Sequence, residues 1–380
     1  MRPEYIVYKG VSGSSYVRSD RVGDLRRVDV VVFDCDGVLL DVRESYSRTV
    51  ARVTGILVEA LTGCKVPEGL LDGRLNYAYK RTGGFNNDWS LTYALVMRIL
   101  AELPEGQLKE LDGVARESLG YDSPSERFGF LKSNLVASSV PVDQLYEKLL
   151  GFAEGLGSDG VEGVDARLLG KVGLNVREAL YVPFRVGEGV IPTLFEETFS
   201  GASLFQRSHG IPAEFTEDDR GLVEEKRVVV TAGTLERFSE LLGGNRMGIA
   251  SGSLVGTARH ALGELIDLFS DEAQVWHDTV EEAQRAGGSV DLHKPHPYSL
   301  LRASEPFQPF ERALYVGDSM ADRLMVAKAG EPPYLFAGVY GCVHDSERAR
   351  DDFLEQGSDI VAPTVNDLPS ILERIGVEAR

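Results

Sequence analysis

The chain has 380 residues, of which 43% are hydrophobic and 26% charged. This composition is that of an ordinary globular protein and argues against a disordered or fibrous one. At roughly 150 residues per domain, this length predicts about two domains. Lys and Arg total 40 against 59 Asp and Glu, a formal net charge of −19. This balance argues against nucleic acid and anionic lipid as partners, although a local cluster of positive charge is compatible with an anionic substrate.

The three cysteines, Cys35, Cys64 and Cys342, are far apart in the sequence. They form no CxxC pair, which argues against a disulfide framework and against a thiolate metal site. The first 29 residues lack the apolar run of a signal peptide, and no run of 18 apolar residues occurs. We therefore expect a cytoplasmic protein without a membrane partner.

The first strong element is the β-branched run at residues 28–33, which predicts a strand buried on both faces. It ends at Asp34-Cys35-Asp36-Gly37, a loop sequence. Three similar strand-then-loop units follow late in the chain, at residues 247–250, 313–316 and 334–337. A helical stretch at about 255–268 follows the strand at 247–250, and another, ending near 329–330, follows the strand at 313–316. This alternation predicts an α/β fold with a parallel sheet, whose ligands bind at the carboxyl ends of the strands.

About 190 residues separate the first strand from the later units, and apolar spacing in this stretch predicts helices at residues 45–61, 89–103, 142–156 and 192–201. We predict a mostly α-helical second domain at 42–225, inserted into a core made of 28–41 and 226–380. Residues 1–27 are expected to form an N-terminal extension. Alternatively, the first strand belongs to a separate N-terminal unit.

Polar side chains follow the predicted strands where their carboxyl ends would meet. They are Asp34, Asp36, Ser251, Asp318 and Asp322, joined by Lys294 from the loop-like segment HKPHP. Clustered carboxylates repel one another unless a cation is present, and Mg²⁺ suits such oxygen ligands. Ser251 with the Gly252 amide, at a predicted helix N-terminus, and the Lys294 ammonium suit a phosphate. This set indicates phosphoryl transfer through an aspartyl phosphate, and it requires Asp34 and Asp318 to lie within a metal's reach.

The motifs VVVFDCDGV, GIAS, HKPHP and GDSMAD occur in this order. In this order they resemble the four motifs of the haloacid dehalogenase superfamily. The resemblance covers 28–41 and 226–380, and it implies a Rossmann-like three-layer α/β/α core with a mainly parallel sheet. The insertion falls where that superfamily places a helical C1 cap, a substrate-specificity domain. Residues 80–89 within it are similar to a segment of a poorly characterised phosphatase-like subfamily.

The resemblance also implies roles for the matching residues. Asp34 would be the nucleophile and a Mg²⁺ ligand, and Asp36 the general acid/base, with its carbonyl on the metal. Ser251 and Lys294 would bind phosphate, and Asp318 would ligate the metal. Asp322 would be a ligand or would support one. The Asp at position 36 separates this pattern from dehalogenases and phosphonatases, which lack it.

We therefore predict a Mg²⁺-dependent phosphatase acting on a small phosphorylated metabolite. The alternatives are a phosphomutase acting on a sugar phosphate, which shares the core residues, and a catalytically silent regulatory or binding module on the same scaffold. The sequence leaves the oligomeric state open.

Each residue also has a simpler interpretation. Asp34 and Asp36 are common turn residues, Ser251 and Asp322 are common helix caps, and a lone lysine such as Lys294 is usually at the surface. For the insertion, we predict a substrate loop that includes Lys80, Arg81, Asn86 and Asn87. The alternative is a turn in which Asp88 caps a helix starting at Trp89.

His293 and His296 flank Lys294, but HxxxH and HExxH spacings are absent. This absence argues against a zinc site.

Overall fold

A computed structural model describes residues 3–138, 140, 144–183, 185–287, 290–330 and 333–377. Its contacts divide the chain into two compact units. One contains the residues up to Arg43 together with those from Lys226 onward, and the other is Glu44–Glu225. Within the described residues, no helix has both the length and the apolar character needed to cross a membrane.

Ten β-strands lie in the described part of the chain, all in the first unit: β1 (Tyr5–Lys9), β2 (Ser14–Arg18), β3 (Val28–Phe33), β4 (Leu40–Asp41), β5 (Arg227–Val228), β6 (Met247–Ala250), β7 (Gln274–Val275), β8 (Arg312–Gly317), β9 (Tyr334–Val339) and β10 (Ile360–Ala362). Eight of them form one sheet in the order β1-β2-β10-β9-β8-β3-β6-β7, and β4 pairs with β5.

The α-helices of the described residues are α1 (Val22–Leu25), α2 (Arg43–Thr62), α3 (Gly73–Lys80), α4 (Asp88–Leu100), α5 (Glu105–Ser118), α6 (Pro124–Ser133), α7 (Leu145–Glu154), α8 (Val161–Val172), α9 (Leu174–Leu180), α10 (Val190–Ser200), α11 (Ala202–His209), α12 (Ala232–Leu242), α13 (Val255–Leu262), α14 (His277–Gly287), α15 (Tyr298–Ser304), α16 (Met320–Ala329), α17 (Ser346–Glu355) and α18 (Leu368–Ile375).

The large sheet is parallel from β10 to β7, which confirms the predicted α/β class with a mainly parallel sheet. The strand β3 lies between β8 and β6, and all six of its residues are buried. Alternate side chains of a strand face opposite sides of its sheet. Phe33 packs edge-on against Phe238 of α12, whereas Tyr315 of β8 and Phe353 of α17 both pack against Phe336 of β9. Helices thus cover both faces, as in a Rossmann-like core.

Residues 1–27, predicted as an N-terminal extension, contribute the strands β1 and β2 to the large sheet. They form a hairpin in which Tyr5 pairs with Arg18, and β2 pairs antiparallel with β10 through Val17 and Ile360. Their sequence contains no long apolar run, so no local pattern predicts these two strands. Antiparallel strands need only one buried face, and in β2 Val17 lies on that face.

The second unit is helical, with α2 to α11 packed around its own apolar core. The predicted helices at 45–61, 89–103 and 192–201 correspond to α2, α4 and α10. The predicted helix at 142–156 corresponds to α7, and its first two residues lie outside the described part of the chain. Inside this unit, Trp89 donates from Nε1 to Glu196 at 2.9 Å and Tyr46 stacks on Phe199. The unit is therefore built from helices, as the apolar spacing predicts.

Candidate active site

The site begins where β3 ends. Asp34 follows Phe33 directly, and its backbone N–H donates to the carbonyl of Val316 in β8 at 2.8 Å. Because β6 and β8 run parallel to β3 on either side, the loops after all three strands meet at one edge of the sheet. This topology brings Asp34, Ser251 and Asp318 together from distant parts of the sequence.

Lys294 lies at the centre of this group, with only 3% of its side chain exposed. Its Nζ is 2.9 Å from Oδ2 of Asp34 and 2.8 Å from Oδ1 of Asp322. It also donates to the hydroxyl of Tyr315 at 2.7 Å. The simpler interpretation of Lys294 as a surface lysine is wrong, since it is a buried cation between two carboxylates.

The carboxyl group of Asp34 is also buried, at 7% exposure. Burial raises the pKa of Asp34 to about 6; Lys294 lowers it and the charge of Asp322 raises it. Oδ1 of Asp34 accepts from the amide of Cys35 at 2.7 Å. At pH 7 the group is therefore mostly ionised, held between a cation and an amide, as a carboxylate nucleophile requires.

Asp36 is held by two residues that the sequence analysis did not single out as functional. Lys226, whose side chain is fully buried, places Nζ 2.9 Å from Oδ1 of Asp36. Ser253 donates its hydroxyl to Oδ2 of the same carboxylate. Ser253 had one weak sequence signal, its position in the loop after β6, whereas Lys226 stands in no motif. Both oxygens of Asp36 thus have fixed positions.

Ser251 is buried directly after β6, and its Oγ accepts from the amide of Ser253 at 3.2 Å. The interpretation of Ser251 as a helix cap is wrong, because three residues separate it from Val255, where the helix starts as predicted. Helix α13 starts at Val255 with Leu254 at its N-cap, and the amide of Val255 is capped by Asp278 at 3.0 Å. The hydroxyl of Ser251 also lowers the pKa of Asp34, so it faces that carboxylate.

Asp34, Asp318 and Asp322 each offer a carboxylate oxygen, and the three oxygens lie within 4.8 Å of one another. Asp34 and Asp318 are therefore close enough to be candidate ligands of one metal ion. A hard, all-oxygen donor set fits Mg²⁺. The loop after β3 approaches the Asp318 carboxylate closely at Gly37, whose φ is +81°. A Cβ at this position would overlap that carboxylate.

Both oxygens of Asp322, which is fully buried, have protein partners. Its Oδ2 accepts from the amide of Ser319 at 3.1 Å and from the hydroxyl of Ser319 at 2.7 Å, in a capping box at the start of α16. Its Oδ1 faces Lys294 and accepts from Tyr315 at 3.1 Å. These contacts favour the supporting role for Asp322 over the role of metal ligand.

Cys35 is buried between the two aspartates, and burial followed by the charge of Asp36 raises the pKa of its thiol far above its usual range. The thiol is therefore protonated at neutral pH. The charge of Asp34 also raises the pKa of the thiol, but desolvation is the largest cause.

The predicted substrate loop, with Lys80, Arg81, Asn86 and Asn87, connects α3 to α4 in the second unit. Asn87 caps α4 by accepting from the amides of Trp89 and Ser90, at 2.8 and 3.2 Å. The alternative in which Asp88 is the cap is therefore wrong, and Asp88 pairs instead with Lys80 at 2.9 Å. A role in substrate binding stays a prediction for these four residues.

Together these observations define a class of protein, a Rossmann-like α/β fold with acidic residues and a buried lysine at the carboxyl edge of its sheet. A family model of haloacid dehalogenase-like hydrolases matches residues 28–330. The chain therefore belongs to the haloacid dehalogenase-like hydrolases.

Among solved structures, the chain is similar to an X-ray structure of a Northeast Structural Genomics Consortium target, with a TM-score of 0.58 and 17% identity. The match covers 92% of this chain and 99% of that one, and at this identity it supports the fold alone. No curated protein matches the sequence.

Proposed function

We propose that the protein is a Mg²⁺-dependent phosphatase that hydrolyses a small organic phosphate monoester through an aspartyl-phosphate intermediate. The observation that carries the proposal is the buried carboxylate of Asp34, in contact with Lys294 and clustered with Asp318. A carboxylate in this position is oriented and paired before any substrate arrives. Lys294 offsets its charge, so that an anionic phosphate can approach it.

In the first half-reaction, a carboxylate oxygen of Asp34 attacks phosphorus and the bond from phosphorus to the leaving oxygen breaks. Asp36, protonated at this point, gives its proton to that leaving oxygen. Ser251, the Gly252 amide and Lys294 bind the remaining phosphate oxygens. Asp34 and Asp318, with the carbonyl of Asp36, would hold Mg²⁺, which when bound supplies positive charge to balance the carboxylates and the phosphate.

In the second half-reaction, water attacks the phosphorus of the aspartyl phosphate while Asp36 takes its proton. The acyl phosphate bond breaks, inorganic phosphate leaves and the Asp34 carboxylate is restored. The contacts of Asp36 with Lys226 and Ser253 support this role, because a group that gives and then takes a proton must keep one orientation through both steps.

We also propose that the Glu44–Glu225 unit selects the leaving group, through the segment that carries Lys80, Arg81, Asn86 and Asn87. Arg81→Ala is expected to raise KM for phosphate esters and to leave kcat nearly unchanged, because it would remove binding and no chemistry. An unchanged KM across a panel of esters would count against a substrate role for this segment.

We also propose a reducing, cytoplasmic location for the protein, which its free cysteines support.

The test of the proposed function is a phosphate-release screen over small phosphate esters with Mg²⁺, using Asp34→Asn and, as a matched control, Asp267→Asn at an exposed position. Wild type and Asp267→Asn are expected to release phosphate, and Asp34→Asn to lose this activity. Isomerised sugar phosphate in place of free phosphate would identify a phosphomutase. A rate that is the same in wild type and Asp34→Asn, or no turnover at all, would reject the catalytic assignment.

A further inference from the structure

A second group of ligand-type side chains lies in the first unit, apart from the carboxylate cluster. It consists of His277, Glu281 and His293, whose ligand atoms lie within 4.8 Å of one another. We propose that this histidine–glutamate cluster binds one divalent transition-metal ion, with Zn²⁺ as the type ion. The proposal does not depend on the proposed phosphatase activity.

Two different elements supply the three side chains. His277 opens α14 and Glu281 follows one turn later, so both side chains project from the same face of the helix. His293 comes from the loop that precedes α15. Its Nε2 is 3.2 Å from Oε1 of Glu281, and its ring centroid is 5.4 Å from that of His277. Tetrahedral zinc with bonds of about 2.0–2.1 Å needs ligand atoms about 3.4 Å apart. The His293–Glu281 pair already has nearly this spacing, and a ligand atom of His277 lies within 4.8 Å of both.

The histidine from the loop also has the outer partner that metal-binding histidines usually have. Nδ1 of His293 lies 2.7 Å from Oδ1 of Asp291. Because a carboxylate can only accept, this contact keeps a proton on Nδ1, so Nε2, which lies beside Glu281, is the ring nitrogen that would bind a metal after giving up its own proton. The loop is held as well, since Gln284 of α14 accepts from the amide of Leu292 at 2.8 Å.

The donor set distinguishes this site from the carboxylate cluster. Two imidazoles and one carboxylate favour Zn²⁺, Co²⁺ or Ni²⁺, whereas the all-oxygen set around Asp34 favours Mg²⁺. Three protein ligands leave a fourth position for water. No HxxxH spacing marks this cluster in the sequence, because a glutamate, not a second histidine, follows His277 by one turn, and the third side chain comes from a separate loop.

The cluster lies next to residues of the candidate active site, so a bound ion would affect that site. His293 immediately precedes Lys294, which contacts Asp34 and Asp322. The backbone of His277 also donates to the carbonyl of Ser253, the partner of Asp36, at 3.0 Å. A metal here would tie α14 to the loop that carries the buried lysine, and would hold that lysine in position.

The test measures bound metal directly in the full-length protein, after dialysis against micromolar free Zn²⁺ with millimolar Mg²⁺ present. Metal analysis is expected to find one Zn²⁺ per chain in wild type, in Asp318→Asn and in the matched histidine control His260→Gln. His277→Gln, His293→Gln and the isosteric Glu281→Gln are expected to lose it. Co²⁺ is expected to give a visible d–d spectrum with wild type that the same three variants lack.

Asp291→Asn keeps all three ligands, so its expected effect is a roughly 10- to 100-fold weaker Zn²⁺ affinity. It and Glu281→Gln keep the test valid if a histidine variant fails to fold. No bound Zn²⁺ in wild type would overturn the proposal, since His293 would then serve only as a cation between Asp291 and Glu281. Equal Zn²⁺ binding by wild type and Glu281→Gln, or loss of zinc in Asp318→Asn alone, would also overturn it.

Discussion

At the scale of single residues, the site depends on buried charges that neutralise one another. Lys294 is nearly fully buried, and burial alone would lower its pKa. The charges of Asp322 and Asp34 outweigh burial and raise the pKa of Lys294 above its usual range. The lysine therefore stays cationic at any working pH. Removal of one partner would leave an uncompensated charge in a buried position, which is costly.

Gly37 allows the loop after β3 to approach Asp318. We expect Gly37→Ala to displace the Asp318 carboxylate, to raise the Mg²⁺ concentration needed for half-maximal phosphate release and to lower kcat/KM at least about tenfold. The positive φ adds a cost of about 1 kcal/mol or more in the free energy of unfolding. The Mg²⁺ requirement is measured from phosphate release at a series of Mg²⁺ concentrations. The free energy of unfolding is measured by denaturant unfolding.

The matched control for that substitution is Gly113→Ala, in the middle of α5, where an added Cβ meets open space. It is expected to stabilise the protein by about 0.5–1 kcal/mol and to leave the Mg²⁺ dependence alone. An unchanged Mg²⁺ requirement in Gly37→Ala would contradict the close approach of Gly37 to a metal ligand.

Lys226 offers a second residue-scale prediction. Lys226→Met removes the buried cation that holds Asp36, so kcat is expected to fall roughly 100-fold, with a smaller change in KM. Ser253→Ala, which removes the other partner of Asp36, should act in the same direction. The exposed Lys328→Met serves as the control in steady-state kinetics and should match wild type. A wild-type kcat in both Lys226→Met and Ser253→Ala would refute the role given to Asp36.

At the scale of elements, charged side chains also join helices within the second unit. Glu102, just after α4, pairs with Arg98 of α4 and with Lys148 of α7. Burial would raise the pKa of Glu102, but hydrogen bonds from Lys148 and Arg98 outweigh it, and the net shift is downward. The carboxylate thus links two helices for as long as it stays ionised.

Because the pKa of Glu102 is lower in the folded state than in the unfolded state, its ionised form stabilises the fold at pH values above the unfolded-state pKa near 4.5. This stabilisation is lost as the pH falls through the folded-state pKa. We expect Glu102→Gln to lower the free energy of unfolding by about 1 kcal/mol at pH 7. The difference from wild type should shrink as the pH falls below about 4.5 and disappear once the wild-type carboxylate is protonated in the folded state. Denaturant unfolding at several pH values measures it.

Glu105→Gln provides the matched control, because the Glu105–Lys109 pair is exposed and screened by solvent. It should leave the free energy of unfolding nearly unchanged at every pH. A difference between Glu102→Gln and wild type that stays constant down to acid pH would show that the ion pairs are not its source.

At the scale of the whole molecule, the N-terminal hairpin completes the large sheet. The strand β2 covers the edge of β10, and the hydroxyl of Tyr5 donates to the carbonyl of Ser358 at 2.9 Å. An uncovered strand edge would present free amide and carbonyl groups to other chains. The hairpin therefore covers β10 and extends the sheet, and the short strand β1 becomes its outer edge.

Val17 and Val7 test this role, because they lie on paired strands and differ in burial. Val17 is fully buried and Val7 is 53% exposed. Val17→Ala is expected to lower the free energy of unfolding by about 2 kcal/mol, and Val7→Ala to change it little. Deletion of residues 1–18 should lower the unfolding midpoint by several degrees and promote aggregation. Thermal unfolding with light scattering measures both, and an unchanged midpoint after the deletion would exclude a structural role for the hairpin.

Several elements could be predicted because their signals are local. The buried runs at β3 and β6 match the strands residue by residue, since a strand with both faces covered is apolar throughout. Helices α2 and α10 follow from apolar spacing. The hairpin, by contrast, has one exposed face and weak local signals. Its place in the sheet depends on β10, which lies at the other end of the chain.

The sequence by itself determined the class of fold, the order of the motifs and the identity of the strand-end residues Asp34, Asp36, Ser251 and Asp318. These follow from local patterns, because a strand, its loop and the next helix are contiguous in the chain. Only the tertiary structure decided which side chains surround them. Lys226 on Asp36, Tyr315 on Lys294 and the cluster of His277, Glu281 and His293 are meetings between separate segments, which no local pattern encodes. The parallel sheet brings the ends of β3, β6, β7 and β8 to one edge, and the pairing of β4 with β5 brings Lys226 close to the loop of Asp36.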